Sequence, residues 1–521
     1  MPVKPKTILK SYQRWITVFS LLLCFGWLAA GCGEEEIEPA PNPTPGGGER
    51  PDTTELGDGP IDFSRLPDTY GHLATAAQVY DWMHYNSHDP SVIDARDYVM
   101  DAGDFFYSYS TDVSYGHTIR PGLQIRRSIN LVEWEYVGWV FNAIPTAGAT
   151  YIRQNGGTPN NSLWAPYAIQ VGSEYRVYYS LASNVGRLSA IGLAVSDSPM
   201  GPFVERGLVV TSQGDNSTHT NAIDPSIIID QSGNQYMYYG SSWDGIYMME
   251  LDPATGLAAT EGDIGQRVAH RGFSGNTING NIEGPEIIYN EEEGMYYLFI
   301  AYDWLETKYN VRVGRSESPT GPFYDFNGDN LNEFSDNQPM ILAPYRFQNH
   351  SGWQGVSHPA VFEKDGQYFM AHQGRPGIDR FFMVLHVRQV FWTEDGWPIV
   401  SPQRYANEEE TAVEESELPG TWEQIVFGYN VVPGFAETQT NPDFQQSVTI
   451  TLDAGGTING DNANTWSYEA PWLTLSWGGG AFTDKVYVER GRDWENEVAS
   501  TILFTGLNEE GTTIWGKKVG E

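Results

Sequence analysis

Cysteine is nearly absent from this chain. Its 521 residues hold two, Cys24 and Cys32, too few for a disulfide framework. Basic residues are scarce too: 30 Lys and Arg stand against 67 Asp and Glu. That imbalance repels phosphate backbones and excludes nucleic acid as a partner, and it suits a protein kept soluble outside a cell. No His/Cys cluster has the spacing of a metal centre. No glycine-rich loop is placed to cradle phosphate, and no serine sits in a nucleophile elbow. The apolar run near the N-terminus, WITVFSLLLCFGWLAA, has only 16 residues, short for a membrane-spanning helix.

The surroundings of that run read as a targeting segment. Lys4, Lys6, Lys10 and Arg14 precede it and LAAGC closes it. Small residues before a cysteine resemble a bacterial lipobox, which implies cleavage before Cys32 and lipidation of Cys32. Residues 1–31 are thus expected to be a lipoprotein signal peptide. Residues 32–62, acidic and rich in Pro and Gly, read as a flexible tether. The acidic run directly after Cys32 is similar to surface-export signals of bacterial lipoproteins. That likeness implies attachment to the outer membrane, facing outwards, by the lipid anchor alone.

What is abundant is aromatic residues, 13% of the chain, together with 56 Gly and 31 Pro. Length suggests two or three domains, and the turn residues argue against long helices. Five stretches share one form, a proline followed by an apolar run, a turn and an aromatic strand: HDPSVI, WAPYAI, IDPSII, EGPEII and SHPAVF. Their prolines, Pro90, Pro166, Pro225, Pro285 and Pro359, are spaced by 76, 59, 60 and 74 residues. Further strand-like pieces between them bring each unit to about four short strands, the content of a propeller blade. The expectation is an all-β fold with a five-bladed β-propeller over 63–410. Each proline is expected to open the first strand of its blade, where its missing N–H costs no ladder bond.

In a propeller those first strands surround the axis, so the residues before the prolines should ring one mouth. They are Asp89, Ala165, Asp224, Gly284 and His358, preceded by His88, Trp164, Ile223, Glu283 and Ser357. Three carboxylates converging from different blades suit glycoside hydrolysis, in which one acid protonates the leaving oxygen and another activates water. A third carboxylate nearby would raise an acid's pKa by like-charge repulsion.

Together the stretches HDPSVI, LWAPYAI, LSAIGLAVSDSPMGPF, NAIDPSIIID, YYGSSWDGI, IEGPEIIY, YNVRVGRSESPTGPF and HVRQVFWTEDGWPIV resemble glycoside hydrolase family 43, and within it the endo-1,5-α-L-arabinanases. The resemblance implies an inverting enzyme acting on arabinan, a polysaccharide. It implies Asp89 as general base, Glu283 as general acid and Asp224 as the residue that tunes and orients that acid. Trp164, Asn221 and Ser241 would contact substrate. His358 would hold an axial calcium together with waters. An inverting pair should stand about 6.5–9.5 Å apart, against about 5–5.5 Å in a retaining enzyme. Other specificities of the family stay open: exo-arabinanase, α-L-arabinofuranosidase or β-xylosidase. So does a glycan-capture protein without catalysis.

The stretch VSPQRYANEEETAVEESELPG breaks the repeat. From 411 to 521 alternating residues indicate six or so antiparallel strands in a small barrel or sandwich, whose role is packing against the propeller or binding carbohydrate. The protein is expected to act as a monomer.

Overall fold

A computed structural model describes residues 60–69, 76–98, 104–114, 119–215, 219–274, 277–278, 280–333, 339–409, 411–428 and 439–520. The signal peptide, Cys32 and nearly all of the tether lie outside the described residues. Among the described residues no helix is long and apolar enough to cross a membrane.

Four four-stranded antiparallel sheets and a fifth sheet follow one another along the chain; the fifth adds the short strands Tyr345–Arg346 and Gln445–Gln446, paired in parallel, to four antiparallel ones. Blade 1 begins with Ser91–Asp94 and ends with Glu135–Trp139; blade 2 runs from Trp164–Val171 to Val204–Ser212. Blade 3 runs from Ser226–Ile229 to Gln266–Ala269, blade 4 from Ile282–Asn290 to Met340–Leu342, and blade 5 from Trp353–Lys364 to Pro398–Val400. The first strands of successive blades touch, and that of blade 5 touches that of blade 1, so the sheets close into a five-bladed propeller. The chain before blade 1 fastens the ring: Asn86 N–H donates to Met383 O and Leu385 N–H to His84 O, while Arg404 pairs with Asp68 at 2.6 Å. One α-helix, Thr146–Gln154, covers the connection between blades 1 and 2 with Gly148, Ala149 and Ile152 facing inwards.

The prolines differ from expectation in one respect. They open the first strand in blades 1 and 3, but in blades 2, 4 and 5 they lie inside it, at a break in register between Trp164 and Tyr167, Glu283 and Glu286, and Ser357 and Ala360. The break is a bulge, where a missing N–H also costs no ladder bond. At all five places the residue before the proline is left-handed: Asp89 φ 46°, Ala165 φ 36°, Asp224 φ 59°, Gly284 φ 55° and His358 φ 59°. For non-glycine residues this conformation costs about 1–3 kcal/mol and concentrates at functional sites.

The C-terminal region is a closed barrel of eight strands, from Gly420–Val426 to Thr513–Lys518, rather than six or so. The two extra strands are Gly420–Val426, which lies before the alternating stretches, and Thr457–Ile458, too short to show a period. Its interior is filled by side chains, among them Trp422, Leu473, Leu475, Val486 and Phe504. Its flank packs on blades 4 and 5. Trp515 meets Tyr345 edge-on at 5.3 Å, Tyr487 stacks on Phe391 at 4.4 Å, and Ile425, Phe427, Leu507 and Trp515 belong to one apolar core with both blades. Lys517, wholly buried, pairs with Asp493 and Glu495 at 2.9 Å each.

Candidate active site

The left-handed turns set the geometry of the mouth. Each turns the backbone just before the strand descends, so the residue before each proline projects towards the axis. In blade 4 the glycine takes that place. Gly284 has no side chain to project, and a Cβ on it would stand 3.0 Å from His358 Nδ1. The carboxylate is carried one residue earlier, by Glu283.

Asp89 is buried and held from four directions. His88 Nδ1 lies 2.6 Å from Oδ2, Thr111 Oγ1 donates to Oδ2 at 2.7 Å, and His358 Nδ1 lies 3.1 Å from Oδ1. Its own N–H donates to Gln373 Oε1 at 3.1 Å. Thr111 in turn accepts from Ala165 N–H at 2.7 Å, which links blade 1 to blade 2 beneath the mouth. Burial alone would push the Asp89 carboxyl up, but His358, His88 and Thr111 outweigh it and hold it below the usual carboxylate range. Burial pushes the His358 ring down, against the pull of Asp89 and Glu283. Nδ1 faces Asp89 and Tyr309, and Nε2 makes no hydrogen bond among the described residues.

Glu283 is partly exposed. Ser241 Oγ donates to Oε2 at 2.8 Å and Tyr309 Oη to Oε1 at 2.8 Å. Tyr309 Oη also stands 3.5 Å from His358 Nδ1. Burial, with Glu283, Asp89 and Asp224 nearby, pushes the Tyr309 hydroxyl well up, so it stays a donor. The loop that carries it is pinned below by a buried Arg271–Asp303 pair at 2.8 Å and by Asn310 Nδ2 donating to Asp303 at 2.9 Å.

Asp224 is buried between these two. Its N–H donates to Ser180 Oγ at 3.0 Å and its Oδ2 accepts from Gly284 N–H at 3.2 Å. Burial, then the charges of Glu283 and Asp89, push its carboxyl well above the usual range. Asp89 and Asp224 are therefore tuned in opposite directions. One favours the ionised form, the other the protonated form.

The other sequence candidates divide. Ser241 reaches the site directly. Trp164 is partly exposed at the head of its strand, its indole N–H donating to Ser162 Oγ at 2.8 Å. Asn221 is turned towards Ser212, whose Oγ lies 3.4 Å from Asn221 Oδ1, and bonds to none of the three carboxylates. Tyr309, Thr111 and Gln373 were not singled out by the repeat. Gln373 stands on a second strand, Thr111 directly after one and Tyr309 directly before a third, all outside the proline pattern. Tyr309 opens the stretch YNVRVGRSESPTGPF, the one signal that could have found it.

A model of Glycosyl hydrolases family 43 matches residues 84–398, and a model of a C-terminal lipocalin-like domain matches residues 402–516. An extracellular endo-α-(1→5)-L-arabinanase of Thermotoga petrophila is 28% identical over 477 residues, covering 83% of this chain and 94% of that protein. An extracellular endo-α-(1→5)-L-arabinanase 2 of Bacillus subtilis is 29% identical over 396 residues, covering 69% of this chain and 80% of that protein. The crystal structure of endo-1,5-α-L-arabinanase from Thermotoga petrophila superposes with a TM-score of 0.70 at 26% identity, covering 83% of this chain and 98% of that one.

Proposed function

The chain belongs to glycosyl hydrolase family 43 and is a glycoside hydrolase, and from that premise we propose that it cuts the α-1,5-linked L-arabinofuranose backbone of arabinan internally, with inversion. The observation that carries the reading is the meeting of Asp89, Asp224 and Glu283 from three blades, with Asp224 bonded to Gly284 N–H and Glu283 held by Ser241 and Tyr309. The likeness to endo-acting arabinanases over 83% and 69% of this chain supports the substrate. In this reading a water attacks the anomeric carbon and passes its proton to ionised Asp89. The glycosidic C–O bond breaks as Glu283 delivers a proton to the leaving oxygen. Asp224, against the backbone of Gly284, keeps Glu283 oriented, and Ser241 and Tyr309 fix its two oxygens. Trp164 and Asn221 contact the sugar chain.

The test is wild type on linear and debranched arabinan, with reducing ends, product sizes and the first anomer followed. Internal cutting yields oligosaccharides, and inversion releases the β-anomer first. Arabinose as the first product would assign exo action, and the α-anomer a retaining pair. Asp89→Asn and Glu283→Gln should each lower kcat by ~10²–10⁴-fold with melting unchanged; near-normal turnover in either removes that residue from the mechanism.

Two further parts belong to the proposal. Lipidation of Cys32 would hold the enzyme on the outer surface of the cell, and Cys32→Ser should release it into the medium. His358 Nε2, which has no hydrogen bond among the described residues, fits one ligand position of a calcium ion. Among the described residues no group of three or more His, Cys, Asp or Glu side chains is placed to hold a metal, so water would supply the remaining oxygens that calcium prefers. When bound, the ion would supply positive charge beside the carboxylates.

A further inference from the structure

Below the ring of left-handed residues lies a second ring, one residue after each proline: Ser91, Tyr167, Ser226, Glu286 and Ala360. Four of these side chains reach the backbone of the next blade's first strand at one repeated place, two residues after its proline. Ser91 Oγ accepts from Ala168 N–H at 3.0 Å, and Tyr167 Oη donates to Ile227 O at 2.9 Å. Ser226 Oγ accepts from Ile287 N–H at 3.2 Å, and Glu286 Oε1 accepts from Val361 N–H at 3.0 Å. Ala360 completes the ring with a methyl group in an apolar cluster that includes Val92. The first strands are thus belted around the axis, with the belt apolar only between blades 5 and 1.

Glu286 differs from the other members in spanning two junctions. Besides holding blade 5 through Val361, its Oε2 accepts from Ser226 Oγ of blade 3 at 2.9 Å. Those strands carry Asp224, two residues before Ser226, and His358, three before Val361. Glu283 is three residues before Glu286 itself. We propose that Glu286 is a positioning residue of the reaction: its carboxyl bolts the first strands of blades 3, 4 and 5 together directly beneath Asp224, Glu283 and His358. The inference rests on the roles given above to Asp224 and Glu283.

Geometry makes the bolt consequential. The three residues above it are joined to one another through Gly284 N–H, Tyr309 and the close approach of His358 to Gly284. A shift of one strand against the next changes all of these at once, and misplacement of about 1 Å can cost on the order of 10²-fold in rate. Burial pushes the Glu286 carboxyl up to about 8, with Ser226 and Val361 opposing. It is neutral in slightly acidic solution, so a carboxamide matches it in charge and shape. In Glu286→Gln, Oε1 still accepts from Val361 N–H, and Nε2 keeps the contact with Ser226 Oγ with donor and acceptor exchanged.

The experiment compares wild type, Glu286→Ala, Glu286→Gln, Ser226→Ala and Glu283→Gln at pH 6, reading kcat, KM and melting temperature. Glu286→Ala should lose on the order of 10²-fold in kcat with KM little changed, because the reacting groups are displaced while the sugar-contacting surface is not. Glu286→Gln should restore most of the loss. Ser226→Ala, which cuts the bond to blade 3 alone, should fall between, and it carries the test if Glu286→Ala does not fold. Full kcat in Glu286→Ala, or in Ser226→Ala when it stands alone, overturns the inference and leaves the belt a stabilising device. Glu286→Gln as damaging as Glu286→Ala also overturns it. An active Glu283→Gln would instead refute the catalytic assignment, so the two failures are distinguishable.

Discussion

His358 Nδ1 lies 3.1 Å from Asp89 Oδ1, joining the fifth blade to the first. The same nitrogen stands 3.5 Å from Tyr309 Oη, which donates to Glu283. The carboxylate proposed as base and the one proposed as acid are therefore connected through two groups that neither gives nor takes the reaction's protons. Each group's position constrains the next.

Tyr309→Phe removes the hydroxyl that holds Glu283 Oε1 and leaves the ring in place. A hydrogen bond contributes about 0.5–1.5 kcal/mol, so kcat should drop by roughly 2–10-fold. Steady-state kinetics beside a melting curve checks this. Unchanged kcat would show that Ser241 orients Glu283 without help.

Gly284→Ala adds a Cβ at φ 55°, 3.0 Å from His358 Nδ1. Backbone strain of about 1–2 kcal/mol should lower the melting temperature, and displacement of His358 should lower kcat as well. Gly294, at φ 65° with nothing within 4 Å of a Cβ, is the control. Gly294→Ala should lose stability and keep its kcat. Equal kcat in the two variants would remove the steric argument.

Acid unfolding should show a plateau followed by a steep fall. His84 is pushed down to about 3 by burial and by Arg404, and burial also holds His372 and His386 well down. Groups depressed in the fold lose stability as pH drops below their ordinary 6.5, each by up to about 1.4 kcal/mol per pH unit. Glu286 at about 8, and Asp112 and Glu408 at about 7, are raised by burial. Their contribution is fully present below the ordinary carboxyl range and lost as pH rises through those values. These histidines, with His270 and His358, and these carboxyls, with Asp224 and Asp484, oppose one another until about pH 4.5. Below that the unfolded chain's carboxyls protonate as well, the histidines act alone, and Asp68, held down to about 2, adds to the loss. Urea midpoints from pH 7 to 3.5 test this. A steady decline from pH 6.5 would mean that the carboxyls do not compensate.

Chelator should lower the melting temperature if His358 holds calcium, and added calcium should restore it. His358→Ala should abolish that response. A wild type indifferent to both treatments would rule out the metal.

The blades were readable because each repeats the same physical requirement: a proline at a break in the ladder, an apolar descent, a tight turn and an aromatic return. Asp89, Asp224, Glu283 and His358 stand at that repeated place, so the repeat found them. Tyr309 and Gln373 could not be found that way, since their relation to the mouth depends on how second and third strands come back beside the axis. Glu286 was hidden for another reason. In EGPEII it looks like an ordinary strand residue, and only the closed ring brings Ser226 and Val361 to it. In the barrel, Thr457–Ile458 escaped notice because two residues carry no period.

The ring's fastening has a consequence for how the enzyme comes into being. Tyr85 bridges to Val384, and Asp89 meets His358 and Gln373, contacts that span most of the propeller's sequence. Closing so long a loop is entropically costly and slow, since many residues must be ordered before the contact is made. Until blade 5 docks, Asp89 lacks two of its partners. Circularisation and completion of the site around Asp89 are thus acquired in a single late event, and a chain interrupted or clipped before the fifth blade would be an assembly intermediate in which the proposed base lacks two of its partners, however well its first four blades had formed.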